Sequence, residues 1–302
     1  MPKVIFIVGP TATGKTETSF LLAEDLKAEI ISSDSMLIYK EPQIITSKPP
    51  SYMLKKIPHH FVGIISVKDT YNVFDYYLKA IKKIKDLFNQ GKNIIVCGGS
   101  GLYIKVILDG IFEGPAKDEN LRRELQERLK NYGRDYLFEE LKRVDPQTAK
   151  KISVSDHKRI IRALEVYYLS GIPISEKKRQ ANGLWRRLPI KIFGLRLKRK
   201  ELYERINRRV EEMFEKGAVE EVCRLLKMDL SITAEKIIGI KEIKDYLEGN
   251  IDFEKAKEEM KKNTRHFAKR QITWFKKDKR IEWIDIDGLT SCEIKEEIKK
   301  RL

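Results

Sequence analysis

The chain has 302 residues, enough for two domains or for one large α/β unit that carries an insertion. Its formal net charge of +16 favours a polyanionic partner, either a nucleic acid or a phosphorylated ligand. With 41% hydrophobic residues the chain is too apolar for a disordered protein, and its three scattered cysteines exclude a disulfide framework and a four-thiolate zinc site.

The first third of the chain alternates short apolar runs with stretches of helical periodicity, a pattern typical of βαβ units around a parallel sheet. It predicts strands at residues 4–8, 29–32 and 93–97 and helices at 17–27 and 73–89. We therefore expect a doubly wound α/β core. The predicted apolar face of the second helix consists of Phe74, Tyr77, Ile81, Ile84 and Phe88.

Strand signals disappear between residues 116 and 187, where amphipathic helices with recurring basic residues predict a helical insertion. The α/β core is then expected to consist of a first part at 1–115 and a completing part at 188–302. The elements predicted in the completing part are a strand at 189–197 and helices at 202–228 and 237–247.

A strongly basic segment lies near the end of the chain, at residues 261–280. It contains nine lysines and arginines against the single acid Asp278. Cations bind a phosphate backbone and rings stack on bases, so the segment suits a nucleic acid, although a tryptophan at helical spacing is more often a core residue. The interleaved ring side chains are His266, Phe267, Trp274 and Phe275.

A glycine-framed segment follows the first predicted strand and matches the pattern G-x-x-x-x-G-K-[ST]. Its position between a strand and a helix is the one that a phosphate-binding loop requires, and an accidental glycine turn is a poor alternative. Lys15 would supply a point charge to a diphosphate, and the Thr16 hydroxyl could hold Mg²⁺. The segment is Gly9-Pro10-Thr11-Ala12-Thr13-Gly14-Lys15-Thr16.

Asp34 follows the second predicted strand, and in an open parallel sheet it should face the same loop. It could be a general base, a metal ligand or a helix N-cap. The third strand ends in a glycine turn at 98–101, with no acid where a hydrolysing P-loop enzyme holds Mg²⁺, so ordinary ATPase chemistry is disfavoured. Within that turn Ser100 could meet an anion, or the turn could be structural.

Other polar groups are less informative. The adjacent His59 and His60 point in different directions and lack a nearby carboxylate, so we favour a structural role over a metal site. Arg159 and Arg162 lie one helical turn apart and could bind phosphate or form a plain solvated surface. The same alternatives apply to Arg205, Arg208 and Arg209.

Taken together, these segments resemble the tRNA dimethylallyltransferases, also called tRNA isopentenyltransferases, over essentially the whole chain. Seven blocks in the family's order are more specific than any single motif. They are 9–16, Ser33-Asp34-Ser35-Met36, Pro58-His59-His60, Gly98-Gly99-Ser100-Gly101-Leu102-Tyr103, 159–165, Ile206-Asn207-Arg208-Arg209-Val210, and Lys269-Arg270-Gln271-Ile272-Thr273-Trp274-Phe275.

The resemblance implies a P-loop NTPase-like parallel sheet with an inserted all-helical tRNA-binding domain. It also implies Mg²⁺-dependent transfer of a dimethylallyl group from dimethylallyl diphosphate to the exocyclic amine of the adenosine beside the tRNA anticodon. Asp34 would take the proton from the amine, and Ser100 stands where the family usually has threonine. The P-loop and Arg209 would bind the diphosphate, with Thr16 on the metal. The implied tRNA contacts are Asp34, Ser35, Met36, Leu37, Ser100, Arg122, Lys158, Arg159, Ile160, Ile161, Arg162, Lys269, Arg270, Gln271 and Trp274.

Several positions depart from the family pattern. Leu37 replaces a glutamine that could read the adenine edge, while Gln43 and Ile45 replace an acid and a glycine. Ile240 replaces a tyrosine. The cysteine and histidine pairs of a C-terminal zinc finger are absent, which implies the bacterial type.

Three other functions stay open: a P-loop kinase, a prenyltransferase acting on free adenylate, and a non-catalytic RNA-binding protein. The basic insertion and C-terminal segment exceed what a free adenylate would need. We find neither a membrane span nor a signal peptide, so we expect a cytoplasmic protein with no membrane partner. We also expect a monomer that binds the tRNA anticodon arm.

Overall fold

A sheet of six strands forms the centre of the computed structural model, which describes residues 3–115 and 118–302. The strands follow the order β3-β2-β4-β1-β5-β6, and every neighbouring pair is parallel. All of β1 is buried, as a central strand covered on both faces requires. The strands are β1 (Val4–Val8), β2 (Ala28–Ser32), β3 (His59–His60), β4 (Asn93–Gly98), β5 (Ile190–Arg196) and β6 (Glu282–Asp285).

Helices connect the strands, since parallel pairing needs a crossover between one strand and the next. The described residues divide into two units: 1–108 together with 184–302, which hold the sheet, and 109–183, which are helical. The helices are α1 (Lys15–Leu26), α2 (Ser51–Lys56), α3 (Val73–Asn89), α4 (Gly101–Asp109), α5 (Glu119–Val144), α6 (Pro146–Ala149), α7 (His157–Ser170), α8 (Ile174–Arg179), α9 (Arg199–Glu215), α10 (Ala218–Leu226), α11 (Ile240–Leu247), α12 (Phe253–Phe275) and α13 (Ser291–Lys300).

Three strands end side by side at one edge of the sheet. Val8 of β1 pairs with Gly98 of β4, and Ser32 of β2 pairs with Cys97 of β4. The loops that follow β1, β2 and β4 therefore begin next to one another. This edge is where the phosphate-binding segment and the second glycine turn were predicted to meet, and the parallel α/β fold class is confirmed.

The bounds of β1 and α3 agree with the prediction, but the buried face of α3 does not. Tyr76, Ala80, Ile84 and Leu87 are the buried residues, so only Ile84 of the predicted face is correct. The helix has apolar side chains on more than one side, and periodicity alone could not choose between them. Packing decided the choice, because the ring of Tyr76 stacks on Tyr103 with centroids 3.8 Å apart.

Three other predictions need correction. The strands β3 and β6 were missed, because one has two residues and both are rich in polar side chains. The predicted helix at 202–228 is two helices, broken where Gly217 adopts a left-handed φ of +93°. The helix predicted at 237–247 begins only at Ile240.

The helical unit has a core of its own, formed by α5 and α7, and α5 is interrupted at Gly133, whose φ is +83°. Its bounds of 109–183 begin and end earlier than the predicted 116–187, and residues 116 and 117 lie outside the described residues. No helix in the described ranges combines the length and apolar character needed to cross a membrane. The core residues include Leu125, Leu137, Leu141, Ile160 and Leu164.

Candidate active site

The phosphate-binding segment forms a closed turn between β1 and α1. The Lys15 ammonium donates to the Pro10 carbonyl at 2.5 Å, and the buried Thr13 hydroxyl donates to the same oxygen at 2.9 Å. Lys15 thus lies folded over its own loop. The loop lines a cavity of about 260 Å³, which we call the phosphate cavity. Asp34 and Leu37 also line this cavity.

Arg209 of α9 reaches the same cavity from a distant part of the sequence. Its Nη1 donates to the Thr11 hydroxyl at 2.9 Å, and its Nε donates to the Ser47 hydroxyl at 2.8 Å. The prediction of an anion-binding arginine is compatible with this position. Ser47 was not predicted, because nothing in a local pattern links it to a residue so far along the chain.

Glu221 holds the loop that presents Ser47. This buried carboxylate of α10 accepts from the backbone N–H groups of Gln43 at 2.7 Å, Ile44 at 2.9 Å and Ile45 at 3.0 Å. A carboxylate with several backbone donors fixes a loop firmly. The departure at Gln43 therefore leaves this contact intact, since only its backbone takes part.

Two buried cations, Lys15 and Arg209, line the phosphate cavity. Burial lowers the pKa of Lys15 to about 8, while Cys97 and Asp34 act to raise it and Arg209 acts to lower it. Burial also lowers the pKa of Arg209. The carboxylates of Asp34 and of the exposed Glu17 also line the cavity. The two desolvated cations favour an anionic ligand, because an anion beside them offsets the cost of burying their charge.

Asp34 and Ser100 lie on neighbouring loops. Asp34 Oδ1 accepts from the Met36 N–H at 2.9 Å. The Ser100 hydroxyl accepts from the Ser35 N–H at 2.9 Å and donates to the Ser35 hydroxyl at 3.1 Å. Ser100 therefore fixes the loop that carries Asp34, a role that its glycine-rich surroundings alone did not reveal.

Gln271 of α12 joins two turns. Its Oε1 accepts from the Thr11 N–H at 2.9 Å, and its Nε2 donates to the Gly99 carbonyl at 3.0 Å. The close approach needs glycine, because a β-carbon at Gly99 would overlap the Gln271 amide and one at Gly101 would overlap the Trp274 indole. Contact of Gln271 with tRNA stays a prediction, and the bridge between the turns is a second role that the sequence did not show.

An apolar cavity of about 210 Å³ adjoins the phosphate cavity. The two share Thr11, Asp34, Thr46 and Arg209 as lining residues. No sequence pattern predicted it, because its walls come from six separate segments. The apolar side chains that line it are Met36, Ile45, Ile206, Val210, Met213, Ile237, Ile238, Met260 and Phe267.

A third cavity, which we call the aromatic cavity, has a volume of about 460 Å³. It shares Met36, Lys236, Phe267 and Arg270 with the apolar cavity, and Ser35 and Ser100 lie in its wall. Of the predicted tRNA contacts, Ser35, Met36, Ser100, Arg270, Gln271 and Trp274 thus line one space. Leu37 lies in the phosphate cavity instead, and Lys269 is exposed on α12. The rings that line the aromatic cavity are Tyr39, Tyr71, Tyr103, Phe267 and Trp274.

In the helical unit, Glu165 binds two of the predicted tRNA-contacting arginines. Arg122 Nε and Nη2 donate to its two oxygens at 2.8 and 2.9 Å, and Arg162 Nη1 donates at 2.7 Å. Burial alone would raise the pKa of Glu165, but the hydrogen bonds from Arg122 and Arg162 outweigh it and lower the pKa. Both guanidinium groups are therefore held in place by a fully buried carboxylate.

The start of α7 separates into exposed and buried positions. Lys158 is exposed, and the side chain of Arg159 is 63% exposed, with only the surface partner Asp156 at 3.3 Å. Ile160 and Ile161 are buried in the core of the helical unit. Their side chains pack between helices, and contact of these two residues with tRNA stays a prediction.

The two adjacent histidines have hydrogen-bond partners within the protein, and the expectation that no carboxylate lies nearby is wrong for His60. His60 Nε2 lies 2.7 Å from Glu29 Oε2, and His59 Nδ1 lies 2.7 Å from the Ile57 carbonyl. Among the described residues there is no group of three or more His, Cys, Asp or Glu side chains that could hold a metal ion. A metal ion in the phosphate cavity would therefore need oxygen ligands of another kind, such as the Thr16 hydroxyl and substrate phosphates.

The fold and the cavities define a P-loop α/β protein that can hold a phosphorylated ligand beside a short apolar group. The sequence model of the IPP transferase family matches residues 37–278. The tRNA dimethylallyltransferase of Thermotoga petrophila is 44% identical over 300 residues, which cover 99% of this chain and 97% of that protein.

Solved structures agree. The crystal structure of the tRNA isopentenylpyrophosphate transferase of Bacillus halodurans is 34% identical with a TM-score of 0.71, covering 100% of this chain and 97% of that one. A eukaryotic dimethylallyltransferase acting on tRNA is 29% identical with a TM-score of 0.79, covering 94% and 74%. The chain therefore belongs to the IPP transferase family, as the resemblance predicted.

Proposed function

We propose that this chain transfers a dimethylallyl group from dimethylallyl diphosphate to the exocyclic amine of the adenosine on the 3′ side of a tRNA anticodon, releasing diphosphate. The observation that carries the proposal is the pair of adjoining cavities. The phosphate cavity, lined by Lys15 and Arg209, continues into an apolar one, and Asp34 lines both. An apolar cavity next to bound phosphates suits the aliphatic allylic group of a prenyl diphosphate.

Prenyl transfer breaks the bond between the allylic carbon and the diphosphate oxygen, so negative charge develops on the leaving group. Lys15 and Arg209 line the cavity where that charge would collect. Preorganised cations stabilise such charge more strongly in a partly buried site than in water. The aliphatic walls of the apolar cavity would keep water away from the allylic carbon, which has carbocation character as the bond breaks.

The adenine amine is a poor nucleophile because its lone pair is delocalised into the ring, so its proton must be taken up as the new carbon–nitrogen bond forms. Asp34 lies between the apolar and phosphate cavities. Its Oδ1 accepts from the Met36 N–H, which orients the carboxylate and leaves Oδ2 for the incoming proton. Asp34 then holds the proton taken from the amine and gives it up to solvent as the products leave, which restores the carboxylate for the next turnover.

The residues present fit a Mg²⁺ ion. Thr16 lines the phosphate cavity together with Asp34, and no described residue hydrogen-bonds to the Thr16 hydroxyl. Mg²⁺ is normally held by one or two protein oxygens plus substrate phosphates and water, so a cage of carboxylates is not needed. When bound, the ion would neutralise charge on the diphosphate.

The acceptor would enter through the aromatic cavity. RNA is recognised mainly through unpaired loop nucleotides whose bases stack on rings and whose phosphates meet cations. Trp274 and Arg270 of α12 lie at this cavity and are exposed, and Lys269 is exposed on the same helix. The exposed Lys158 and Arg159 of α7 supply further positive charge for an anticodon arm.

The test is to incubate the protein with dimethylallyl diphosphate and an anticodon stem-loop, and to analyse the nucleosides by mass. The proposal expects prenylated adenosine, released diphosphate, and no phosphoryl transfer from ATP. Phosphorylation of a substrate by ATP without prenylated RNA would select a kinase instead. RNA binding without either product would indicate a non-catalytic protein.

A further inference from the structure

A fourth cavity, of about 380 Å³, shares no lining residue with the three cavities already described. Its walls come mainly from β5, β6, α9 and α12, and Pro10 of the phosphate-binding segment also lines it. We call it the flanking cavity. The proposed prenyl transfer does not use this cavity, so its composition needs an explanation of its own.

The helix α12 lies between the flanking cavity and the aromatic cavity. Residues 267, 270, 271 and 274 line the aromatic cavity, whereas residues 269, 272, 273 and 276 line the flanking cavity. Each set recurs at three- and four-residue spacing, so the two sets lie on different faces of the same helix. A helix with its side chains is only about 10 Å across. An RNA strand that enters the aromatic cavity can therefore pass around α12 to the flanking cavity.

Three exposed cations line the flanking cavity and have no carboxylate within ion-pair distance among the described residues. They are Arg199, Lys269 and Lys276. The fourth cation, Arg196, differs from them because Asp285 accepts two hydrogen bonds from it, at 2.6 and 2.7 Å. Cations without an acidic partner are available to phosphate oxygens.

Two ring side chains also line this cavity, and both are held in position. Trp283 pairs with Gly194 across β6 and β5, and a β-carbon at Gly194 would lie 2.7 Å from the indole Cε3, so the glycine makes room for the ring. The Arg199 guanidinium lies over the Tyr203 ring, 5.1 Å from its centroid. Trp283 and Tyr203 are both partly exposed. Rings beside free cations suit a nucleotide, because the base stacks and the phosphate meets positive charge.

We propose that the flanking cavity binds a second unpaired nucleotide of the tRNA anticodon loop, with its base on Trp283 and its phosphate on Lys269 and Lys276. The proposal rests on the proposed function, since the loop reaches this cavity while its target adenosine occupies the aromatic cavity. Two nucleotides held on different faces of α12 fix the register of the loop. The flanking cavity thereby helps to determine which base enters the active site.

The first experiment tests the phosphate contact with two neighbouring exposed lysines, of which only Lys276 lines the flanking cavity and Lys277 is the matched control. Lys276→Gln should weaken binding of the anticodon stem-loop about fivefold and make the slope of log K against log salt shallower by about one. Lys277→Gln should change the affinity by less than about twofold. Equal weakening by the two substitutions would indicate only general attraction and would overturn the proposal.

The second experiment tests the base contact with stem-loops that carry an abasic residue at each loop position outside the target. One abasic position should weaken binding to the wild type about tenfold, and it should cause no further loss when combined with Trp283→Leu. Trp283→Phe keeps a ring and should retain the wild-type affinity within about threefold. Melting temperatures show whether each variant is folded. If Trp283→Leu does not fold, Lys276→Gln combined with the same abasic series gives the equivalent test.

The proposal is overturned if no loop position depends on Trp283 or Lys276. Titration with adenosine monophosphate tests a second source of the same chemistry. Binding of this mononucleotide that requires Trp283 and is not displaced by the stem-loop would assign the cavity to a free nucleotide and overturn the proposal. A wild type that shows the expected binding pattern but makes no prenylated adenosine would defeat the proposed function and support the nucleotide site, so the two failures are distinguishable.

Discussion

The two units of the chain use their predicted cations in different ways. In the sheet-bearing unit, Lys15 and Arg209 line a cavity and have only neutral oxygen acceptors, from Pro10, Thr11 and Ser47. In the helical unit, Arg122 and Arg162 are bound to one buried carboxylate, Glu165. Basic residues that look alike in the sequence thus differ in whether an acid already neutralises them. The first pair can serve a ligand anion, while the second pair primarily holds two helices together.

The largest effect is expected at Asp34. In the variant Asp34→Asn the amide cannot take the amine proton, so kcat should fall by roughly 10²- to 10⁴-fold while the Kd for the stem-loop changes by only a few fold. Single-turnover prenylation and a filter-binding titration measure the two quantities. An equal loss in binding would mean that Asp34 positions the RNA and has no role as a base.

Removing the buried acid tests the helical side of the comparison. Glu165→Ala leaves Arg122 and Arg162 without a counter-charge, and because both arginines are partly exposed, we expect the lower end of the usual range, about 3 kcal/mol of unfolding free energy. Urea denaturation gives the value. The control Arg162→Ala should cost less, since Arg122 still pairs with Glu165. If Glu165→Ala lowers the unfolding free energy by less than about 0.5 kcal/mol, then Arg122, Arg162 and Glu165 contribute no more than an ordinary surface ion pair.

The pH dependence tests the cationic side. Lys15 has a pKa of about 8, so it is charged below that pH and loses its charge above it. Since the charge attracts the donor diphosphate, kcat/KM for the donor should be flat below pH 8 and fall about tenfold per unit above it. The control Lys15→Arg keeps its charge at high pH and should remove this decline, even if its activity is lower. The same decline in both enzymes would assign it to another group.

The smallest effect concerns the salt dependence of RNA binding. Arg159 is mostly exposed, so Arg159→Ala should make the slope of log K against log salt shallower by about one phosphate contact. Arg162→Ala should change the slope less, because Glu165 already neutralises that guanidinium. Stem-loop titrations at several salt concentrations measure both slopes. A larger change for Arg162 than for Arg159 would reverse the comparison between free and paired cations.

The sequence predicted those parts of the site that lie in short, continuous segments. The P-loop, Asp34 and Ser100 each follow a strand, so a local pattern and the rule for parallel sheets were enough to bring them together. The apolar cavity could not be predicted in this way, since Ile45, Val210 and Met260 meet only through tertiary packing.

The same limit applies to the helical unit. Ile160 and Ile161 lie in a block that resembles the family's RNA-contacting segment, but a block does not state which of its side chains point inward. The partner of Arg122 lies 43 residues away, and no periodicity links the two. Ion pairing over such distances depends on how helices pack, which a single sequence does not specify.

The bridge made by Gln271 has a consequence for protein engineering. One amide accepts from the Thr11 N–H with its oxygen and donates to the Gly99 carbonyl with its nitrogen, so the walls of the proposed donor and acceptor sites depend on a single side chain. A substitution there would disturb both substrates together. Variants intended to accept longer allylic donors or different bases should therefore leave this position unchanged and alter residues that face only one cavity, such as Val210 or Tyr39.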